Sequence, residues 1–402
     1  MSTGIHKAAR VNYSRIESSD VPVTLEVARF RGQSGVEEVH LMARPTEYGR
    51  FDDQLDWLRR GYHDALEALG LDRRSAILRR FFCSDISNQA HALAACAFSN
   101  PRDGSDVCIA SWVGQPPSGP AKVALWAYHI SDPGGEVNKQ YDGNTLTLHR
   151  GHLDHHWTCG VASPNSDTAL AQTTGVLATY DAFLRARGLS LANNVIRTWL
   201  FVRDIDSDYR EVAQARREFF AQRGLTPQTH YIASTGIEGT CATPAARVAM
   251  DAYAIAGVQP EQLEYIKALD HLSPTDVYGV TFERATTVSY RDRKHVLISG
   301  TASIDGQGNI VHPGDVSRQL GRALENIAAL LHEAGTGGEG LCTLIAYLRD
   351  PSDEQVVRRG IHQRFGDVPL AVVAGAVCRP GWLVEVEGQA IVSAHEPALP
   401  PF

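Results

Sequence analysis

Two glutamates set two residues apart, Glu385 and Glu387 in Leu-Val-Glu-Val-Glu-Gly (383–388), are the residues best placed for acid–base chemistry. Side chains alternate along a strand, so both carboxyls are expected on one face, roughly 7 Å apart, with Val384 and Val386 on the other. Two carboxyls that close on an apolar strand resist double ionisation. One pKa should rise, leaving an acid able to donate a proton near neutral pH. The same spacing also fits the plainer role of a glutamate paired with an interface arginine. Cys378 stands seven residues upstream and, taken alone, reads as a small buried core residue. The stretch Gly-His-Leu-Asp-His-His-Trp (151–157) gathers His152, Asp154, His155 and His156, but its spacing matches no standard ligand set. A polar loop or strand lining a pocket is expected there, and no metal. The chain has no P-loop, no Gly-x-Ser-x-Gly elbow and no dinucleotide-binding glycine motif ahead of a helix.

The elements that must carry these residues come in three similar sets. Segments 51–85, 169–204 and 315–350 each read as a helix, a glycine and a short apolar strand ending in aspartate. In the third, Val316, Leu320, Ala323, Leu324, Ile327 and Leu331 fall on one helical face. Leu55, Leu58, Tyr62, Ala65 and Leu69 do so in the first, and Val176, Leu177, Tyr180 and Leu184 in the second. Gly70, Gly188 and Gly335 stand where a helix ends in a left-handed residue. Asp85, Asp204 and Asp350 follow them by 15, 16 and 15 residues. Second, more polar helices are expected over 88–98, 209–223 and 353–365, then alternating strands over 121–130, 246–255 and 382–391. This predicts three α+β units in tandem, over 20–140, 150–265 and 275–396, with loops near 132–144 and 269–276. Aligning the last strands sets Glu385 against Ala124 and Ala249, and Glu387 against Trp126 and Asp251. A residue kept for folding should recur in every unit. Glu385 does not, which predicts one specialised site rather than three.

This grammar resembles the RidA/YjgF superfamily, whose small α+β subunits form trimers with sites between subunits. Three units in one chain would then form an intramolecular pseudo-trimer. Residues 150–395 look more like the chorismatase branch, through Ile-Arg-Thr-Trp-Leu-Phe-Val-Arg-Asp-Ile-Asp (196–206), Ser-Thr-Gly-Ile-Glu-Gly (234–239) and Phe-Glu-Arg-Ala-Thr-Thr (282–287). Leu-Ile-Ser-Gly-Thr-Ala-Ser-Ile-Asp-Gly (297–306), Val-His-Pro-Gly-Asp-Val-Ser-Arg-Gln (311–319) and Cys-Arg-Pro-Gly-Trp-Leu-Val-Glu-Val-Glu-Gly (378–388) come next in the same order. The resemblance implies that Glu385 is the acid that opens the enolpyruvyl ether of chorismate or a close analogue, releasing pyruvate without a cofactor. It pairs Cys378 with Gly300, the combination of hydroxybenzoate-forming members, and so implies a lyase of secondary metabolism. It implies carboxylate binding by Arg197 and Arg284, whose planar forks suit that task, although a solvated or interface ion pair is the plainer role open to either. Backbone N–H groups at Thr235 and Gly236, with Tyr278, Gly300 and Glu387, would complete the pocket. One departure is plain. The family carries Tyr-Gly-Pro-Arg ahead of the Phe-x-Arg-Ala segment, where this chain has Tyr278-Gly279-Val280-Thr281 and no arginine.

Two other functions compete. RidA-type deamination of enamines and imines needs an arginine shortly after a proline in the strand before the glutamate. Pro369-Leu370-Ala371-Val372 has none, which disfavours it. The other is a non-catalytic small-molecule-binding protein. Bulk properties narrow the partners. The chain has 402 residues, 43% hydrophobic and 21% charged, with a net charge of −8, so nucleic acid and anionic membranes are not expected partners. Residues 1–15 lack the apolar core of a signal peptide, and no run approaches the roughly 20 apolar residues of a membrane helix. Seven scattered cysteines without a Cys-x-x-Cys pair suggest reduced thiols and a cytoplasmic setting. A monomer or weak oligomer is expected.

Overall fold

A computed structural model describes residues 10–402 apart from 103, 136 and 276–278. The first unit contains β1 (Asn12–Glu17), β2 (Val23–Arg31), β3 (Glu37–Pro45), α1 (Phe51–Leu69), β4 (Ala76–Cys83), α2 (Ile86–Ala95), β5 (Ile109–Gly114) and β6 (Val123–Ser131). The second contains β7 (Asn138–Asp142), β8 (Thr145–Arg150), β9 (Leu153–Ala162), α3 (Ala169–Arg185), α4 (Leu191–Asn194), β10 (Val195–Val202), α5 (Ile205–Ala221), β11 (Ala233–Glu238), β12 (Thr240–Cys241) and β13 (Val248–Ala256). The third contains β14 (Leu263–Ile266), β15 (Ala285–Ser289), β16 (Arg293–Ala302), α6 (Val316–Glu333), β17 (Leu341–Leu348), α7 (Glu354–Phe365), β18 (Leu370–Ala374) and β19 (Val384–Ser393). The three sheets run β1-β2-β3-β6-β4-β5, β7-β8-β9-β13-β10-β11 and β14-β15-β16-β19-β17-β18, one strand order used three times. The fold is α+β, as expected. No helix among the described residues is long and apolar enough to cross a membrane.

The three long helices end alike. Gly70, Gly188 and Gly335 have φ of 66°, 70° and 81°. The next amide reaches back five residues each time: Leu71 N–H to Leu66 O, Leu189 to Leu184 and Thr336 to Leu331, at 2.8, 2.9 and 2.9 Å. A side chain would strain that left-handed turn, hence glycine. Each strand-ending aspartate caps the helical turn next to it: Asp85 accepts from Asn88 N–H, Asp204 from Ser207 N–H and Asp350 from Ser352 N–H. A third recurring residue went unnoticed in the sequence. Gln54, Gln172 and Gln319 each stand 16 residues before the glycine, are almost wholly buried and bind three backbone groups. Gln172 donates to Ser166 O and Ala245 O and accepts from Arg247 N–H, at 2.6, 3.1 and 2.7 Å. Gln54 and Gln319 make the matching bonds. Each ties the start of its helix to the strand of its own unit that runs down the sheet centre. Gln172→Ala leaves these part-buried groups without their partner, and is expected to lower unfolding free energy by about 1–2 kcal/mol in denaturant titrations.

Two expectations about the chain's divisions need correction. Residues 132–144 are not simply a loop. β7 and β8 form a hairpin closed by Gly143 and Asn144, with Asp142 opposite Thr145, and it belongs to the second sheet. The side chains of β7, Asn-Lys-Gln-Tyr-Asp, are mostly polar, which hid its period. β1 begins at Asn12, ahead of residue 20, and β14 joins the third sheet although it falls near the end of the span assigned to the second unit. Each pair of units meets across a buried ion pair: Arg80–Asp251, Arg197–Glu387 and Arg293–Glu38, at 2.8, 2.7 and 2.7 Å. β12 crosses from the second unit to pair with β5 of the first.

Candidate active site

The register fixes which strand positions are equivalent. Glu385, Ala249 and Ala124 lie opposite Tyr347, Phe201 and Phe82, each the seventh residue of its neighbouring strand. The sequence alignment of the three last strands therefore holds, and only the third unit carries a carboxyl at that position. Glu385 faces a recess of about 490 Å3 between the second and third units. β11 and α5 supply one side, with Ser234, Thr235, Gly236, Tyr209 and Arg216. β16, β19 and their neighbouring loops supply the other, with Phe282, Arg284, Gly300, Cys378, Trp382 and Glu385.

Glu385 is 6% exposed, and among the described residues no hydrogen bond holds its carboxyl. Burial pushes its pKa up from 4.5 to about 8, the Glu387 carboxylate adds to the rise, and Arg197 and Arg284 oppose it. It is a carboxylic acid at neutral pH. Gly300 explains how it fits. β16 bulges between Ile298 and Thr301 opposite β19, and a Cβ on Gly300 would overlap Glu385 Oε1 and stand 2.7 Å from its Cδ. Gly300→Ala must displace the acid, and a misplacement of that size is expected to lower kcat by roughly ten- to a hundred-fold, read in steady-state turnover.

Beneath the acid lies a closed polar network. Glu387 accepts from Arg197 Nη2 at 2.7 Å, from Trp199 Nε1 at 2.8 Å and from the Thr235 hydroxyl. That hydroxyl in turn accepts from Arg197 Nη2 at 2.5 Å and Gly300 N–H at 2.9 Å. Arg197 is 1% exposed and does not line the recess. The expectation that Arg197 and Glu387 contact substrate is therefore corrected: they neutralise each other. Both sequence readings of the glutamate pair hold, one for each residue. Glu385 is the raised acid and Glu387 is the interface salt bridge. Thr235 lines the recess, but by alternation its backbone N–H faces β10 rather than a ligand, and its hydroxyl is fully used in fixing Gly300. Gly236 lines the recess. Ser234 N–H donates to Ser299 Oγ and Glu238 N–H to Ala376 O. By alternation the Gly236 N–H points the same way, into the recess.

Arg284 lines the recess as expected, with Nη2 donating to Ser273 O at 3.0 Å. Cys378 lies on the wall. Burial and the neighbouring Glu385 push its thiol up to about 12, against a hydrogen bond from Tyr209. It is a neutral thiol, not a thiolate. Tyr278 lies outside the described residues. Arg216 was missed. It donates Nε to Thr281 Oγ1 at 3.1 Å and Nη1 to Ser234 Oγ at 3.3 Å, with no carboxylate in salt-bridge reach among the described residues. Its signal was an arginine inside the apolar stripe of α5, among Val212, Ala215, Phe219 and Phe220. The histidines of 151–157 do not line this recess. His155 and His156 bond Tyr253 and Thr147 within the second unit. Among the described residues no group of three or more His, Cys, Asp or Glu is placed to hold a metal ion.

The family model described as Endoribonuclease L-PSP matches residues 285–392, most of the third unit. A RutC family protein of Pyrococcus abyssi is 31% identical over 96 residues, 24% of this chain and 76% of the relative. A chorismatase of Streptomyces rapamycinicus is 30% identical over 241 residues, 53% of this chain and 69% of the relative. A chorismatase crystal structure shares the fold, with a TM-score of 0.59 at 20% identity over 79% of this chain and 93% of that one. The third unit is thus of the L-PSP, or RidA/YjgF, type, and the other two repeat its strand order. Within that class the chain belongs to the chorismatase family.

Proposed function

We propose that the protein cleaves the enolpyruvyl ether of chorismate, or a close analogue, to pyruvate and a hydroxybenzoate, as a lyase of secondary metabolism. The observation that carries this is a lone acid, Glu385, held protonated in a recess that also presents arginines. We further read the three units as an intramolecular pseudo-trimer with this one catalytic interface.

Glu385 donates its proton to the methylene carbon of the enolpyruvyl group, leaving an oxocarbenium-like centre. The ring C–O bond then breaks, its oxygen becoming the carbonyl of pyruvate. The ring gives up a proton as it aromatises, and the Glu385 carboxylate is the group placed to take it, which restores the acid. Chorismate has the same atoms as pyruvate plus hydroxybenzoate, so the reaction balances without water or a redox partner. Cys378, neutral beside Tyr209, supports this step as an uncharged wall and hydrogen-bonding partner of the ring.

Carboxylate binding falls to Arg284 and Arg216. Thr281 occupies the place where the family motif has its arginine, and Arg216 reaches that residue from α5. A guanidinium of the second unit thereby replaces one that the third unit lacks. Arg216→Met is expected to raise KM about 10- to 100-fold with kcat changed far less, since a charge-assisted contact contributes about 1.5–3 kcal/mol. Product analysis tests the whole reading: purified protein given chorismate should form pyruvate and a hydroxybenzoate one to one. Chorismate left intact, or pyruvate formed with a non-aromatic diol, would reject the lyase.

A further inference from the structure

A second recess, of about 380 Å3, lies between the third and first units. It occupies the same strand positions as the first. Thr235 pairs with Trp199, and Ala371 with Ile345, each the fifth residue of its strand, so Ala371 and Val372 stand where Thr235 and Gly236 stand in the catalytic recess. Ala124 stands where Glu385 stands. All three line the second recess, together with Met42, Leu125 and Leu370. The units close on it through Ala374 N–H to Pro116 O at 2.7 Å and Leu370 N–H to Glu26 Oε2 at 2.9 Å. Alanine holds the place of the acid, and the carboxylate that does line the recess, Glu26, is engaged by Leu370 N–H.

The recess has nonetheless kept cations. Arg44 from β3 and Arg358 from α7 both line it. Arg358 Nε is bound to Glu354 at 2.6 Å, but its Nη1 is buried without a hydrogen-bond partner among the described residues. The Arg44 side chain forms no hydrogen bond or salt bridge among the described residues, and burial and the nearby Arg358 weaken its hold on its proton. Glu26, which also lines the recess, and Glu354, which pairs with Arg358, offset the repulsion between the two guanidiniums in part, and an anion between them would relieve the remainder and the unmet donor. Anchoring cations beside apolar walls suit a small carboxylate with an apolar ring.

We propose that this recess is a non-catalytic binding site for a small aromatic carboxylate, with Arg44 and Arg358 on the carboxylate and Met42, Ala124 and Leu370 against the ring. The inference rests on the second recess alone and holds whatever the first one catalyses. The chain has three methionines, one of them Met42 on the recess wall. Carbon-13 methyl labelling of methionine therefore reports on this site directly. Titrating the full chain with benzoate should move the Met42 methyl resonance to saturation and leave that of Met250, buried in the second unit, in place. Benzamide, the same shape without charge, should need at least tenfold more. Arg44→Gln and Arg358→Gln should each weaken the benzoate response at least tenfold. A Met42 resonance that benzoate does not move, or that benzamide and benzoate move equally, overturns the proposal without needing any variant to fold. An unchanged midpoint in both folded glutamine variants overturns it as well.

Discussion

Glu385→Gln should abolish turnover and make the protein more stable. The change keeps the shape of the side chain and removes the transferable proton, so a fall of at least a hundred- to ten-thousand-fold in kcat is expected. The stability gain comes from the raised pKa. The folded protein holds this proton to about pH 8, whereas the unfolded chain releases it near the ordinary value of 4.5. Between those values the unfolded state binds fewer protons, so stability falls as pH rises from 4.5 to 8 and stays reduced above. Glutamine does not titrate and escapes the loss. At pH 7 the difference is roughly 3 kcal/mol in favour of the variant. Denaturant midpoints of both proteins at pH 4.5 and 7.5 check this: the two should converge at the lower pH and separate at the higher. Equal midpoints at pH 7.5 would mean that the acid is not held against its ionisation. An active site that costs stability is the expected signature of a group placed for chemistry.

Glu387→Ala should do the opposite. It strands the buried Arg197 guanidinium, with Trp199 Nε1 and the Thr235 hydroxyl, between two units. Breaking a buried pair from one side costs about 3–5 kcal/mol, far more than an exposed pair is worth. Replacing both members, Arg197→Met with Glu387→Leu, removes the stranded charge and should recover most of that loss in thermal or denaturant unfolding. Glu387→Ala also removes a carboxylate that raises the pKa of Glu385 and leaves Arg197, which lowers it, unopposed. Where enough protein folds to assay, its loss of activity with rising pH should begin at lower pH than in the wild type.

These two glutamates show how far the sequence could be read. Their shared face, and the absence of a counterpart to Glu385 in the other units, came from strand period and the repeat alone. Their division of labour did not. Whether a carboxyl meets an arginine depends on which strands face each other across an interface, and Arg197 lies 190 residues from Glu387 in the chain. The same blindness assigned Arg197 to substrate and passed over Arg216, which reaches Thr281 from the neighbouring unit. The helix-ending glycines and capping aspartates were legible because they answer local backbone needs. The buried glutamines were equally regular, each 16 residues before its glycine, but a polar residue in a first helical turn looks unremarkable until the groups it satisfies are seen. β7 was lost because a polar alternation, Asn-Lys-Gln-Tyr-Asp, carries little hydrophobic signal.

Three units with one strand order have diverged in their polar residues rather than in their scaffold. One interface carries an acid, one has kept a recess with arginines and alanine in place of the acid, and the interface of the first and second units is bridged by β12 and by the Arg80–Asp251 pair. The first unit therefore does more than complete the assembly. It supplies Glu38 to Arg293 and half of the second recess.

The central claim is that Glu385, kept protonated by burial, delivers the proton that releases pyruvate. Pyruvate release from chorismate, followed from about pH 6 to 10 for the wild type and Glu385→Gln, tests it most directly. The wild-type rate should hold to about pH 8 and then fall about tenfold per pH unit, while Glu385→Gln releases none above background. A wild-type rate that stays level or rises across that whole range, or release by Glu385→Gln at a comparable rate, would contradict it.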